Sequence, residues 1–226
     1  ISDPTVPFTT VQVTPFGLKI IGAEIEGELN LENFGADSQE PVALAFENCT
    51  FREPINLSHA HLKRLSLKKC HLVQLKAAEI QIDGDVNIKK IRSSQRCKDE
   101  YTGFNGKGQC GINLIGARIK GNLLANKSKL CAEKKDRPLI QDRHVAEYAL
   151  NLRGAHVDGL VILQPCFKAN GGVSIRDARI KGDLWASGAV LIAQEEYAFN
   201  AQSAQVDGHI LLRRCKMDNT ETNFKR

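Results

Sequence analysis

The sequence predicts an all-β fold, a parallel β-helix solenoid of about seven to eight four-sided coils with two loop insertions. Three observations support this prediction. A glycine-centred segment recurs six times, apolar residues come in pairs two positions apart, and these pairs recur every five or six residues. No apolar spacing near 3.6 residues recurs in the same region, which excludes helices there.

The apolar pairs determine the shape of the coil. Two apolar residues separated by one position point the same way on a short strand. A step of five residues would turn the next pair to the opposite face of a continuing strand. The chain must therefore bend between pairs, so that every pair faces a shared axis. Four such sides make one coil of roughly 21 residues.

The glycine-centred segments follow the pattern Ala-x-Ile/Val-x-Gly, with Ile in place of Ala in the second copy. They are residues 23–27, 80–84, 117–121, 155–159, 178–182 and 204–208. Counted from each glycine, the positions −9, −7, +2 and +4 are apolar in every copy, although only 42% of the chain is hydrophobic. We expect each glycine to form a bulge or a bend with a special backbone angle.

The pairs continue almost unbroken from Leu44 to Ile82, where two sides of the coil could be assigned either way. We interpret residues 1–226 as one β-helix domain with coils over about 18–217. Residues 1–16 and 218–226 are candidate caps or tails. Two insertions, about 92–109 and 131–147, follow the same side of consecutive coils. We expect them to project side by side from one edge, where a rigid scaffold often carries binding loops.

On these repeated units the chain resembles the pentapeptide-repeat family, whose units read small–x–Leu/Phe–x–x. The resemblance covers about residues 18–217. It departs from the family pattern in the six-residue step across each glycine, in the insertions and in the scarcity of Asp or Asn after the small residue. The resemblance implies a right-handed quadrilateral β-helix and a binding or scaffolding role, often bacterial. A generic parallel β-helix remains the alternative.

The seven cysteines suggest packing more than chemistry. Cys49, Cys70 and Cys215 occupy the small position of an inward pair, where a free thiol behaves as a small hydrophobe. The other group comprises Cys97, Cys110, Cys131 and His144 in or beside the insertions. Its wide spacing lacks a close C-x2-C pair, so we predict no metal and no cofactor. Free thiols or a Cys97–Cys110 disulfide stay open. The odd, modest cysteine count predicts a reducing, cytoplasmic location, with a secreted effector as the alternative.

The outward positions of the later coils provide the candidate binding residues. Leu124, Ile162, Trp185 and Leu211 are expected to form one column, with Leu160 beside it. An apolar stripe with an aromatic at its centre is typical of an interface. Cover by the 131–147 insertion or by a terminal segment is the competing interpretation. Before the glycines, Lys120, Asp158, Lys181 and Asp207 alternate in sign and predict a structural charge ladder.

These features favour a non-enzymatic, protein-binding or scaffolding solenoid with a protein partner or a second copy of itself. The alternative is a glycan-active enzyme with its site on the insertion edge, where Asp99, Glu100 and Asp136 lie. A nucleic-acid partner is disfavoured, because the net charge is only +5. The basic residues that could contact it, Arg118, Lys120, Arg179 and Lys181, have Asp158 between them. No stretch is apolar enough to span a membrane. Because the chain begins with Ile1, we expect a processed chain or a fragment.

Overall fold

The chain winds through four sheets in a fixed order. The structure is a computed structural model that describes residues 10–14, 17–38, 40–93, 111–132, 148–193 and 197–218. In these residues it contains thirty short strands, β1–β30, and no helix. Consequently none of the described segments is a helix that could cross a membrane.

Each sheet is a stack of strands taken from successive coils. Sheet A contains, in spatial order, β1 (Thr10–Thr14), β2 (Gly17–Ile21), β5 (Ala43–Glu47), β9 (Arg64–Lys68), β13 (Val86–Asn87), β17 (Leu123–Leu124), β21 (Val161–Ile162), β25 (Leu184–Trp185) and β29 (Ile210–Leu211). Sheet B contains β3 (Glu24–Ile25), β6 (Thr50–Phe51), β10 (His71–Leu72), β14 (Arg92–Ser93), β18 (Lys129–Cys131), β22 (Lys168–Asn170), β26 (Val190–Ile192) and β30 (Lys216–Asp218).

The other two sheets complete the square. Sheet C contains β4 (Leu29–Asn30), β7 (Ile55–Asn56), β11 (Gln74–Lys76), β15 (Gly111–Asn113), β19 (Leu150–Asn151), β23 (Val173–Ser174) and β27 (Phe199–Asn200). Sheet D contains β8 (His61–Leu62), β12 (Gln81–Ile82), β16 (Arg118–Ile119), β20 (His156–Val157), β24 (Arg179–Ile180) and β28 (Gln205–Val206).

One passage through sheets A, B, C and D is one coil, and we number the coils 1 to 8 from β2. Among the described residues, coil 1 has no strand in sheet D, and coil 8 ends after its strand in sheet B. The prediction of a parallel β-helix with seven to eight four-sided coils is therefore confirmed. The strands pair in parallel from coil to coil, whereas β1 pairs antiparallel to β2 and covers the first edge of sheet A.

The inward apolar pairs form one continuous core along the axis. Every pair between Leu44 and Ile82 is buried, and the first of them lies in sheet A, which resolves the assignment that the sequence left open. The stacking is in register: Leu65, Val86 and Leu123 follow one another directly in sheet A. Most inward residues of coils 1 and 8 are only partly buried, because each of these coils has a described neighbour on one side only.

Five of the six glycine-centred segments occupy equivalent places, at the corner between sheets D and A. The first does not. Gly27 lies between β3 and β4, at the corner between sheets B and C, half a coil away from the others. The alignment of the first copy is therefore wrong in phase. The physical reason is that all four sides carry the same kind of inward pair, so the pair pattern alone does not identify a side.

The glycines at the D–A corner are required by close approach of successive coils, not by an unusual backbone angle. The Gly121 amide donates to the Gly84 carbonyl, Gly159 to Gly121, and Gly182 to Gly159, each over 3.1 Å. A Cβ on Gly159 would lie 2.7 Å from the Gly121 carbonyl oxygen. Any side chain at these positions would push adjacent coils apart.

The positions of two cysteines, Cys49 and Cys70, agree with the predicted packing role. Cys49 and Cys70 are fully buried free thiols. Burial raises the pKa of Cys70 to about 12, so this thiol is protonated and inert at neutral pH. Cys215 is also free but only half-buried, because it belongs to the last coil. Cys131 is disulfide-bonded, which removes the thiolate that a zinc site would need there.

Candidate binding surface on sheet A

The predicted apolar stripe is assembled by strand register. Leu124 lies directly opposite Ile162, Ile162 opposite Trp185, and Trp185 opposite Leu211. Leu124, Ile162 and Trp185 each follow a buried residue and therefore point outward from sheet A, and the strand register places Leu211 in the same column. The predicted column on coils 5 to 8 is confirmed as a geometric feature. Its binding role stays a prediction.

The same column is polar or small on the earlier coils. There it contains Lys19, Ala45, Ser66 and Asn87, in register with one another and with Leu124. Asn30, which occupies the position of Leu124 in the first glycine-centred copy, lies in sheet C instead. The outward face of sheet A thus changes from polar to apolar between coils 4 and 5.

Exposure increases along the stripe toward the last coil. Leu124, Ile162 and Trp185 are half-buried, whereas Leu211 is 43% exposed. Its neighbour Ile210, whose position faces the axis in the other coils, is 47% exposed because coil 8 has no described coil above it. The stripe therefore ends at an apolar rim of the solenoid.

Trp185 is held in one orientation by Asp183. The indole Nε1 donates a 3.0 Å hydrogen bond to Asp183 Oδ2. Asp183 Oδ1 accepts the backbone amide of His209 over 2.7 Å and lies 3.5 Å from His209 Nδ1. The hydrogen bond from the His209 amide, followed by that from the indole, holds the pKa of Asp183 below its ordinary value. The sequence interpretation missed this role, although the D-x-W spacing places both side chains outward on one face.

Leu160 lies beside the stripe, immediately after the glycine corner. The preceding coils use this position for a ladder of polar side chains: Asp85 Oδ1 accepts the Asn122 amide, and Asn122 Oδ1 accepts the Leu160 amide, each over 2.8 Å. A leucine cannot accept in turn, so the ladder stops at coil 6 and resumes with Asp183. Leu160 therefore interrupts the ladder of polar side chains and adds apolar surface next to Ile162.

The charge ladder of sheet D forms ion pairs between adjacent coils. Lys120 Nζ lies 2.7 Å from Asp83 Oδ1, and Lys181 Nζ lies 2.8 Å from Asp158 Oδ1. The bond to Asp158 raises the pKa of Lys181, and Lys120 lowers that of Asp83. These contacts agree with the structural role predicted for the alternating charges. Exposed pairs of this kind contribute little to stability, because water and salt screen them.

Both insertions leave the solenoid at the corner between sheets B and C. The chain departs after β14 and β18 and returns with β15 and β19, on consecutive coils. The predicted departure from one edge is therefore confirmed for their ends. The sequence interpretation expected the insertions to lie at an edge adjoining the stripe. Their ends do not, because sheet B separates this corner from sheet A. Cys97, Asp99, Glu100, Cys110, Asp136 and His144 lie outside the described residues.

Comparisons with known proteins leave the function to be argued from this geometry. No family model matches the chain, and no curated protein or solved structure matches it. Among the residues that the structure describes, no group of three or more His, Cys, Asp or Glu side chains is placed to hold a metal ion.

Protonation of Asp183 should be visible in the emission of Trp185, the only tryptophan of the chain. Because the pKa of Asp183 is lower in the folded state, its contacts stabilise the fold above the ordinary carboxyl pKa. That contribution is lost as the pH falls through the folded value. We expect the fluorescence of the folded protein to change in this acidic range and to stay constant in Asp183→Asn. Asp158→Asn, on sheet D, is the control that should titrate like the wild type. Identical titration of all three proteins would contradict the assignment.

Proposed function

We propose that this protein is a non-enzymatic solenoid that binds another protein chain, a partner or a second copy, through the stripe formed by Leu124, Leu160, Ile162, Trp185 and Leu211. The observation that carries the proposal is the in-register apolar column with an oriented tryptophan at its centre. Aromatic side chains at the middle of apolar patches contribute most of the binding energy in many interfaces.

The fixed orientation of the indole supports this proposal. A side chain already held in one rotamer loses less conformational entropy when a partner covers it. The hydrogen bond to Asp183 satisfies the indole N–H, so the partner needs to supply only apolar surface. A rigid β-helix presents such a surface without rearrangement.

Three finer statements belong to the proposal. Membership of the pentapeptide-repeat family, a bacterial origin and a scaffolding role are inferred from the repeated units alone. For location, the sequence favours the cytoplasm, whereas the disulfide at Cys131 supports the secreted alternative, because disulfides persist in oxidising compartments.

The test compares Trp185→Ala with Asn87→Ala, a control in the same column on coil 4. Light scattering over a range of concentrations measures self-association, and crosslinking followed by capture from the source cells measures partner binding. We expect Trp185→Ala to weaken the association at least tenfold, as is usual for a central aromatic residue, and Asn87→Ala to leave it unchanged. Unchanged self-association and unchanged partner capture by Trp185→Ala would refute the stripe as an interface.

A further inference from the structure

Basic side chains from four separate segments meet on one face of the solenoid. They lie on sheet B and at the corner between sheets A and B, on coils 3 to 6, and we name this surface the basic face. Its members are Lys68, Lys69, Lys89, Lys90, Arg92, Lys127, Lys129 and Lys168. Seven of the eight are exposed, and Lys89 is half-buried.

The basic face has the form of two parallel rows along the solenoid axis. In sheet B, Arg92 lies directly opposite Lys129, and Lys129 opposite Lys168. At the corner, Lys69, Lys90 and Lys127 share one turn conformation, with φ of 54°, 57° and 59°. The Lys69 amide donates to the Lys89 carbonyl over 3.0 Å, which stacks one turn on the next. The backbone positions of successive members of a row are therefore separated by about 4.8 Å, the distance between strands.

No acidic residue interrupts these rows. The segments that build the face, residues 68–72, 88–93, 125–131 and 163–170, contain no Asp or Glu. Within the described part of the chain, none of the eight basic side chains makes an ion pair. Sheet D differs in this respect, because its lysines alternate with aspartates from coil to coil and form ion pairs with them.

Stacked like charges oppose folding, because directly opposed cations on adjacent strands repel one another. The alternation on sheet D demonstrates that this fold accommodates opposite charges at equivalent positions. Among the described residues, no acidic side chain offsets the repulsion along the basic face. An anionic ligand that lies along the rows would remove the repulsion and give the face a purpose.

We propose that the basic face binds a linear acidic polysaccharide, a glycan with about one carboxylate or sulfate group per sugar, laid along the solenoid axis. An extended sugar unit is close in length to the separation of the coils, so successive anionic groups can meet successive lysines. This inference is independent of the proposed protein-binding stripe, which lies on sheet A.

Two features of the face disfavour nucleic acid. Single strands are held mainly by stacking of bases on exposed aromatic rings, and the only Phe, Tyr or Trp in the four segments, Phe167, is fully buried. In B-DNA the phosphates of one strand follow each other every 3.4 Å along the axis, a shorter repeat than that of the coils.

The test measures binding of the full chain to four probes at low and at high salt by isothermal titration calorimetry. The probes are polygalacturonate, heparin, a 20-base-pair DNA duplex and vesicles that contain phosphatidylserine. We expect salt-sensitive binding to polygalacturonate or heparin, and binding to polygalacturonate, which carries carboxylates alone, would show that sulfate is not required. Tighter binding to DNA or to vesicles than to both glycans, or no glycan binding at low salt, would overturn the proposal.

A pair of double variants with equal net charge tests the location. Lys127→Gln with Lys129→Gln removes two charges from the basic face, and Arg118→Gln with Arg179→Gln removes two from sheet D. All four residues are exposed, so both variants should fold like the wild type, which thermal unfolding checks. We expect the first to bind the glycan about tenfold more weakly and the second to bind normally. Equal losses in both would overturn the assignment, whereas normal glycan binding by Trp185→Ala separates this site from the stripe.

Discussion

Replacement of Phe167 by alanine is expected to lower the free energy of unfolding by about 3–5 kcal/mol, the largest single-residue effect that we predict. The ring is fully buried in coil 6. The equivalent positions of the neighbouring coils contain the small residues Ser128 and Ala189, and this provides the space that the ring fills. Removal of the ring therefore leaves a cavity that adjacent side chains cannot reach.

The backbone around Phe167 also cannot collapse into that cavity. The Lys168 amide donates to the Ser128 carbonyl, and the Val190 amide donates to the Phe167 carbonyl, each over 2.9 Å. Urea unfolding followed by circular dichroism and by Trp185 emission measures the loss. Phe34→Ala is the matched control, because Phe34 is 40% exposed and its removal should cost far less. A Phe167→Ala protein as stable as the Phe34→Ala protein would contradict this account of the core.

Gly159→Ala is expected to destabilise the protein by about 1–3 kcal/mol or more, although it adds only one methyl group. The new Cβ would lie 2.7 Å from the Gly121 carbonyl oxygen and 2.8 Å from its carbon. Both atoms belong to the backbone of the coil beneath, which its own hydrogen bonds hold in place. Relief of the clash requires that two coils separate, and this weakens the contacts of all residues around the corner.

Gly154→Asn provides the comparison for this glycine. Gly154 has a φ of 65°, and a Cβ there would meet no atom within 4 Å. Asp177 and Ser203 occupy the same turn one and two coils later with φ of 56° and 55°, so a side chain is tolerated at this corner. We expect a cost of about 1 kcal/mol or less for Gly154→Asn in thermal unfolding. Equal stability of the two variants would show that close approach is not the reason for the glycine at 159.

The geometry of the core followed directly from local sequence patterns. Pairs two residues apart predict short strands, and the odd step between pairs predicts bends, because both relations act between neighbours in the chain. For the same reason the apolar column around Trp185 could be placed before its contacts were known. The phase of the first copy could not, since Gly27 and the later glycines have the same neighbours but lie at different corners.

The candidate sites were only partly predictable. The apolar stripe required one assumption, that equivalent positions stack, and the register bears it out. The hydrogen bond that orients Trp185 depends on the rotamer of Asp183 and on the amide of His209 one coil later. The basic face was not recognised from the sequence, because no segment of it contains more than three basic residues. The net charge of +5 also gives no sign that basic residues are concentrated on one surface.

Local sequence patterns are sufficient to predict that the chain coils, roughly how many residues a coil contains, and which side chains enter the core. These properties depend on alternation and step length, which are local. The corner that each segment occupies, and the outward residues that become neighbours, follow only from the stacking of the coils. The physical reason is that strand pairing brings residues about 20 to 40 positions apart to within about 4.8 Å of one another. A lysine row or an aspartate–lysine ladder therefore exists only after the coils have stacked.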